Sequence, residues 1–272
     1  MSGRSSRKSR RNLDHVLEKH ARAIERLARL EGHVGVVGLV LIGSVARGDA
    51  GEHSDIDCYF IAAEPLAVSR AAVYAETREI GRELGIQVGG PVVDRDFLRD
   101  VAERGPEPAR YAFMNAKVIF SHDPELPDLV ARIPVYQDSE RAEKIASFAS
   151  QLPIHLSYLE LGEYSRNAWL LAETATELVL FGGRLLLAYN RILFPGRKQF
   201  IRVLAAAPDK PVGIVELAQG LMSRPSIARA RRFYDAVMTF QEWPVPPEGH
   251  MGRFQRDREQ NWRKGPAALA DS

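Results

Sequence analysis

The feature that most constrains this chain is the segment "LIGSVARGDAGEHSDIDCYFI", residues 41–61. An apolar run, "VGVVGLVLIG", ends on Gly43-Ser44, and Asp55 and Asp57 follow around the start of a second apolar run. The first run is only about half of the roughly 20 residues that span a bilayer, so it reads as a buried strand. A second strand over 55–61 puts Asp55 and Asp57 on one face, because successive strand side chains alternate. Two adjacent carboxylates repel, and a divalent cation relieves that repulsion. Mg2+ is hard, takes oxygen ligands and is commonly held by one or two carboxylates together with substrate phosphates. Asp55 and Asp57 are therefore the candidate metal ligands. Taken alone, the pair reads more simply as two surface aspartates.

The Gly-Ser turn changes that balance. A glycine after a strand lets backbone approach a phosphate closely, and the N–H groups of a following helical turn point at an anion. Ser44 adds a hydroxyl donor. Arg47, followed by Gly48, either neutralises phosphate or is simply solvated. Each half has an ordinary structural alternative, and only the combination argues for a phosphate-and-metal grip.

The rest of the chain divides in two. Apolar spacing predicts a helix over 13–31, strands over 34–42 and 55–61, and a helix over 67–84 closed by Gly85. "IQVGGPVV", 86–93, is a weak third strand, which Pro91 forces to an edge or a bulge. "AKVIFSHDP", 116–124, is a further short strand and turn. From about Asp138 helical patterns take over through about Gln241, punctuated at Pro153, Pro195-Gly196, Pro208, Pro211 and Pro225. The expectation is an α+β domain over 13–130 and an all-α helical bundle over 138–243. A disordered basic arm, 1–12, would precede them, and an irregular tail, 244–272, pinned by Phe254 and Trp262, would follow.

Bulk properties exclude little. Hydrophobic residues make up 45% and charged residues 26%, as in ordinary soluble proteins. The net charge of +2 does not mark a nucleic-acid binder, although "MSGRSSRKSRRN" holds five basic side chains and no acid. Neither nucleic acid nor a membrane is an expected partner. One cysteine, Cys58, excludes an internal disulfide framework, and no apolar stretch behind the basic N-terminus makes a secretory signal; the default location is cytoplasmic.

Strand, Gly-Ser, Arg-Gly, about ten residues and then Asp-x-Asp in a strand: here "GSVARG" followed by "SDID" resembles the nucleotidyltransferase superfamily with the DNA-polymerase-β-like fold. The likeness covers 34–62 by motif and 13–123 by element order. In the helical half, "LAETATELVLFGGRLLLAYNRILFPGRKQF", 171–200, is similar to the second domain of small antibiotic-type (aminoglycoside or lincosamide) nucleotidyltransferases. The resemblance implies a mixed sheet flanked by helices, with a helical bundle after it. It implies that Gly43, Ser44 and Arg47 hold the triphosphate of an NTP, with ATP expected, and that Asp55 and Asp57 bind Mg2+. A hydroxyl of a small acceptor would attack the α-phosphorus, releasing pyrophosphate. It also allows a homodimer.

One part of the family pattern is missing. Family members commonly carry a third carboxylate on a neighbouring strand, and "IQVGGPVV" has none. Gln87 is no base, and Asp94 in "DRDFL" reads as a helix cap. That leaves the helices. Glu173 and Glu177 share a helical face in "AWLLAETATELVLF", where burial would raise their pKa, and Glu173 is the nominated base. Together with Glu160 and Glu163 they would line an acidic pocket suited to an aminoglycoside-like cation. His53 and the arginines around 229–232 read as solvated. His155, Tyr158, Tyr164 and Trp169 read as packed side chains, and Cys58 as a small buried hydrophobe. The competing reading is a nucleotide-binding sensor or partner protein with weak or no transferase activity.

Overall fold

The structure, a computed structural model, describes residues 17–33, 35–63, 66–263 and 265; the arm at 1–12 lies outside them. The chain divides into two compact units, Met1–Val135 and Tyr136–Ser272. Among the described residues no helix is long and apolar enough to cross a membrane.

The first unit is α+β. Residues 17–28 are helical (α1) and lead into β1, Val36–Ile42. A one-turn helix α2, Gly43–Arg47, follows, then β2, Ile56–Ala62, and the long helix α3, Leu66–Leu84. The sheet order is β3-β2-β1-β5. β1 is antiparallel both to β2 and to β5, Lys117–Ser121. The weak third strand is two short pieces, β3 (Val88–Gly89) and β4 (Val92–Val93), both parallel to β2. Gly90-Pro91 breaks the strand between them, as expected of a residue that cannot donate to a ladder. The alternation of β1 and β2 gives the sheet two apolar faces. Leu39, Leu41, Ile56, Cys58 and Phe60 pack with Leu27 of α1 and Ile80 of α3. Val40, Ile42 and Ile61 pack with Leu98 of α4 (Arg95–Arg104) and Leu129 of α6 (Leu126–Arg132). Between these two helices lies the one-turn helix α5, Glu107–Tyr111.

The second unit is helical. Its frame is a hairpin of α7, Asp138–Tyr164, and α8, Ala168–Tyr189, whose start is capped by the Asn167 side chain accepting from the Leu170 N–H. Shorter helices α9 (Phe200–Ala206), α10 (Ile214–Ser223) and α11 (Ile227–Met238) pack on it. Two glycines of α8 make room for this. The ring of Phe233 lies where a Cβ on Gly182 would come within 2.6 Å, and that of Phe200 within 2.3 Å of one on Gly183. Pro153, expected to punctuate the pattern, instead sits inside α7. A mid-helix proline costs about 3 kcal/mol. Burial of Phe148, Ala149, Leu152 and Leu159 against α8 outweighs that cost. The tail expected to be irregular forms α12, Gly249–Phe254, and a π-helical turn, Gln255–Glu259. Phe254 is buried and does pin it, whereas Trp262 is exposed.

Candidate active site

β1 ends at Ile42, which faces Asp57 across the antiparallel ladder. The next residue, Gly43, has φ +72, and a Cβ there would lie 2.6 Å from Oδ2 of Asp57. The turn and the aspartate are therefore one construction: the carboxylate occupies space that any other residue at 43 would fill. Asp57, in β2, is exposed, and Asp55, expected inside the strand, lies just before it and is half-buried. Cys58, pointing the other way, is buried, and burial, followed by the charge of Asp57, pushes its thiol up to about 12. Two oxygen-bearing side chains open to solvent at a strand end are a donor set that fits a hard divalent cation. Among the described residues no cluster of three or more His, Cys, Asp or Glu forms a fuller cage.

The turn differs in detail from its expectation. The Gly43 N–H, expected to point at a phosphate, donates to the Ala112 carbonyl (3.3 Å), so Gly43 contributes space rather than a donor. The Ser44 hydroxyl makes no hydrogen bond among the described residues and remains available to a ligand. Arg47 lies with its guanidinium 5.6 Å from the ring centroid of Tyr111 and its Nε 3.5 Å from Asp49 Oδ1. It is thus engaged in holding the turn against α5, and Tyr111 is a neighbour that sequence reasoning missed. A second missed residue is His20 of α1. Buried, it donates from Nε2 to the Ser54 carbonyl (3.0 Å), fixing the residue before Asp55. Ser54 itself closes the loop by accepting from the Gly51 N–H at 2.8 Å. Neither Tyr111 nor His20 carries a local sequence signal; only the tertiary fold brings them here.

Residues 20–106 match the family model of the nucleotidyltransferase domain. The chain carries a nucleotidyltransferase domain, and it is a transferase. The match contains Gly43, Ser44, Asp55 and Asp57. A solved nucleotidyltransferase-like protein from Exiguobacterium sibiricum overlaps it more loosely, at 11% identity and a TM-score of 0.44, over 87% of this chain and 77% of that one. No curated protein matches.

In this nucleotidyltransferase domain the strand beside the aspartates carries no acid. Gly89 pairs with Asp57 and Val88 with Ile56, while the Gln87 carbonyl accepts from the Ile56 N–H (2.9 Å). Asp94 caps α4, accepting from the Phe97 N–H at 2.7 Å. The acids of the second unit are also distributed differently from the expectation. Glu173, expected to be buried, is exposed; its neighbour Thr174 faces the core instead. Glu160 is bound by Arg231 (2.8 Å) and Glu163 accepts from the Ile227 N–H (2.6 Å), both tying α7 to α11. The four-glutamate pocket therefore reduces to Glu173 and Glu177, and Glu177 is paired with Arg258 at 3.2 Å. Tyr164 and Trp169, expected to be packed, are 83% and 77% exposed, because they flank the α7–α8 turn rather than its seam. Asn190 ties the end of α8 to Asp209 through both its amide groups, a structural role.

Proposed function

We propose that the first unit transfers a nucleoside monophosphate from an NTP, with ATP expected, to a hydroxyl of a small acceptor, releasing pyrophosphate. The observation that carries this reading is the seating of Asp57 on Gly43, which joins the Gly-Ser turn and the aspartate pair. Asp55 and Asp57 would hold Mg2+, which when bound supplies neutralising charge to the phosphates of the nucleotide. Ser44 would donate its hydroxyl to a phosphate oxygen. The acceptor oxygen forms a bond to the α-phosphorus, the bond from that phosphorus to the β-phosphate oxygen breaks, and the acceptor proton passes to a base. Glu173, a carboxylate without a hydrogen-bonding or ionic partner among the described residues, is the base we assign. An aminoglycoside-like acceptor follows from the same resemblance.

The test is an acceptor screen with radiolabelled nucleotides, with the Asp55→Asn/Asp57→Asn double variant as control. Label should move to an acceptor with the wild type only. Transfer that persists in the double variant sinks the assignment of the site. A second reading has one observation in its favour: Gly89 stands beside Asp57 where a carboxylate would complete the strand triad. On that reading the protein binds nucleotide without turning it over. Calorimetry separates the two, since both bind nucleotide with Mg2+ but only the enzyme releases pyrophosphate when an acceptor is present.

A further inference from the structure

Buried polar groups without partners are rare, and each calls for an explanation. His155 of α7 is one. It is 4% exposed, and neither ring nitrogen meets a hydrogen-bonding group of the protein. Its ring stacks on Phe181 at 5.5 Å and meets Phe254 edge-on at 5.8 Å. Burial, followed by the charge of Arg258, lowers its pKa from 6.5 to about 4. At neutral pH the ring is therefore an uncharged imidazole with one N–H donor and one bare acceptor nitrogen. His155 lines a cavity of about 250 Å³ in the second unit.

The walls of that cavity define what would fill it. Leu161, Leu170 and Phe254 give apolar surface. The polar groups lie together: Nε2 of His155 is 3.8 Å from Oε2 of Glu177, beyond hydrogen-bond reach, and Arg258 holds the same oxygen at 3.2 Å. A hydroxyl joins such a pair, since one oxygen can accept from the imidazole N–H and donate to the carboxylate. Leu161, 54% exposed, is apolar surface that only an apolar group would cover. An apolar cavity of about 150 Å³ takes one benzene ring, so this one admits a ring with a short substituent.

We infer that the second unit binds a small one-ring compound bearing a hydroxyl, with the hydroxyl on His155 and Glu177 and the ring among Leu161, Leu170 and Phe254. This site is built wholly from residues of the second unit; Glu173 also lines it, so the inference is tested by direct binding, apart from any measurement of transfer.

Saturation-transfer NMR on the full chain at neutral pH tests it, with phenol and benzyl alcohol as probes and toluene as the match lacking a hydroxyl. Both hydroxyl probes should bind saturably, and toluene about tenfold more weakly, the worth of a hydrogen bond to a buried or charged partner. His155→Phe keeps a ring but removes both nitrogens, and should weaken the hydroxyl probes by about the same factor while leaving toluene alone. Leu161→Trp closes the mouth from an exposed position, so loss of all three probes is expected there without damage to the core, and it decides the matter if His155→Phe does not fold. No saturable binding by either hydroxyl probe, binding by toluene equal to theirs, or wild-type binding by Leu161→Trp would each overturn the inference.

Discussion

The two units present their polar chemistry in opposite ways. In the first, Asp55 and Asp57 stand at the open end of a strand, with Asp57 exposed and seated against a glycine. In the second, His155 is enclosed by aromatic rings and a carboxylate already held by an arginine. The difference follows from charge. A pair of like carboxylates cannot be buried without a counter-ion, because desolvation and mutual repulsion add. Left at the surface, they are reachable by a cation from solvent. An imidazole escapes the same cost by remaining neutral, so it can sit in a dry wall and read a neutral ligand. The first arrangement suits a phosphate ligand that brings metal charge, the second a small uncharged one.

The sharpest way to break this contrast is to remove the charge of the open pair. Asp55→Asn/Asp57→Asn should lower nucleotidyl transfer about 1,000-fold, on the order of 4 kcal/mol of transition-state stabilisation. Unfolding should change little, because Asp57 is exposed and Asp55 only half-buried. A melting temperature reduced by more than a few degrees would show that the pair is structural instead.

The buried imidazole should show itself in stability rather than turnover. His155 has a folded pKa of about 4 against an ordinary 6.5, so between those values the unfolded chain binds more protons. Stability is fully present above pH 6.5 and is lost as pH falls towards about 4, by an amount on the order of 3 kcal/mol. Burial, followed by the charge of Arg258, opposes protonation. All three tryptophans, Trp169, Trp243 and Trp262, belong to the second unit, so urea unfolding followed by their fluorescence reports on it directly. The slope between pH 4 and 6.5 should flatten in His155→Phe. An unchanged slope would mean that other groups cause it.

Glu173 lies between the two cases, an exposed carboxylate on the helical unit. As the assigned base, its replacement by Gln should slow transfer about 100-fold with substrate affinity retained. Full turnover by Glu173→Gln beside an inactive Asp55→Asn would remove it from the reaction.

How far the sequence speaks differs between the units in the same way. Gly43-Ser44 and Asp55-x-Asp57 are close in the chain, so spacing alone groups them, although β2 begins only at Ile56 and leaves Asp55 just outside it. The β1–β2 core was legible for the same reason. The break at Gly90-Pro91 could also be foreseen from the missing proline donor. In the helical unit the decisive partners are distant: Arg231 for Glu160, the Ile227 N–H for Glu163 and Arg258 for Glu177. Helical periodicity groups those glutamates without showing which are already satisfied by another helix. It also cannot show that Tyr164 and Trp169 flank a turn, or that packing carries α7 through Pro153.

Gly43→Ala gives the smallest effect and the closest test of the construction at the open site. Two penalties act on it. An alanine at φ +72 is strained by about 1 kcal/mol. Its Cβ would also lie 2.6 Å from Asp57 Oδ2 and 3.3 Å from Asp57 Cβ; the oxygen ends an exposed side chain, but the Cβ is fixed by the strand. The protein should therefore still fold, with a loss greater than the strain alone, while the displaced carboxylate lowers transfer about tenfold. Raising the Mg2+ concentration should recover part of that loss, since the metal ligand has moved rather than vanished, whereas Asp57→Asn should not be recovered. If Gly43→Ala transfers at the wild-type rate, the contact between the turn and Asp57 plays no part in positioning the pair, and the open site is a less constrained grip than its geometry indicates.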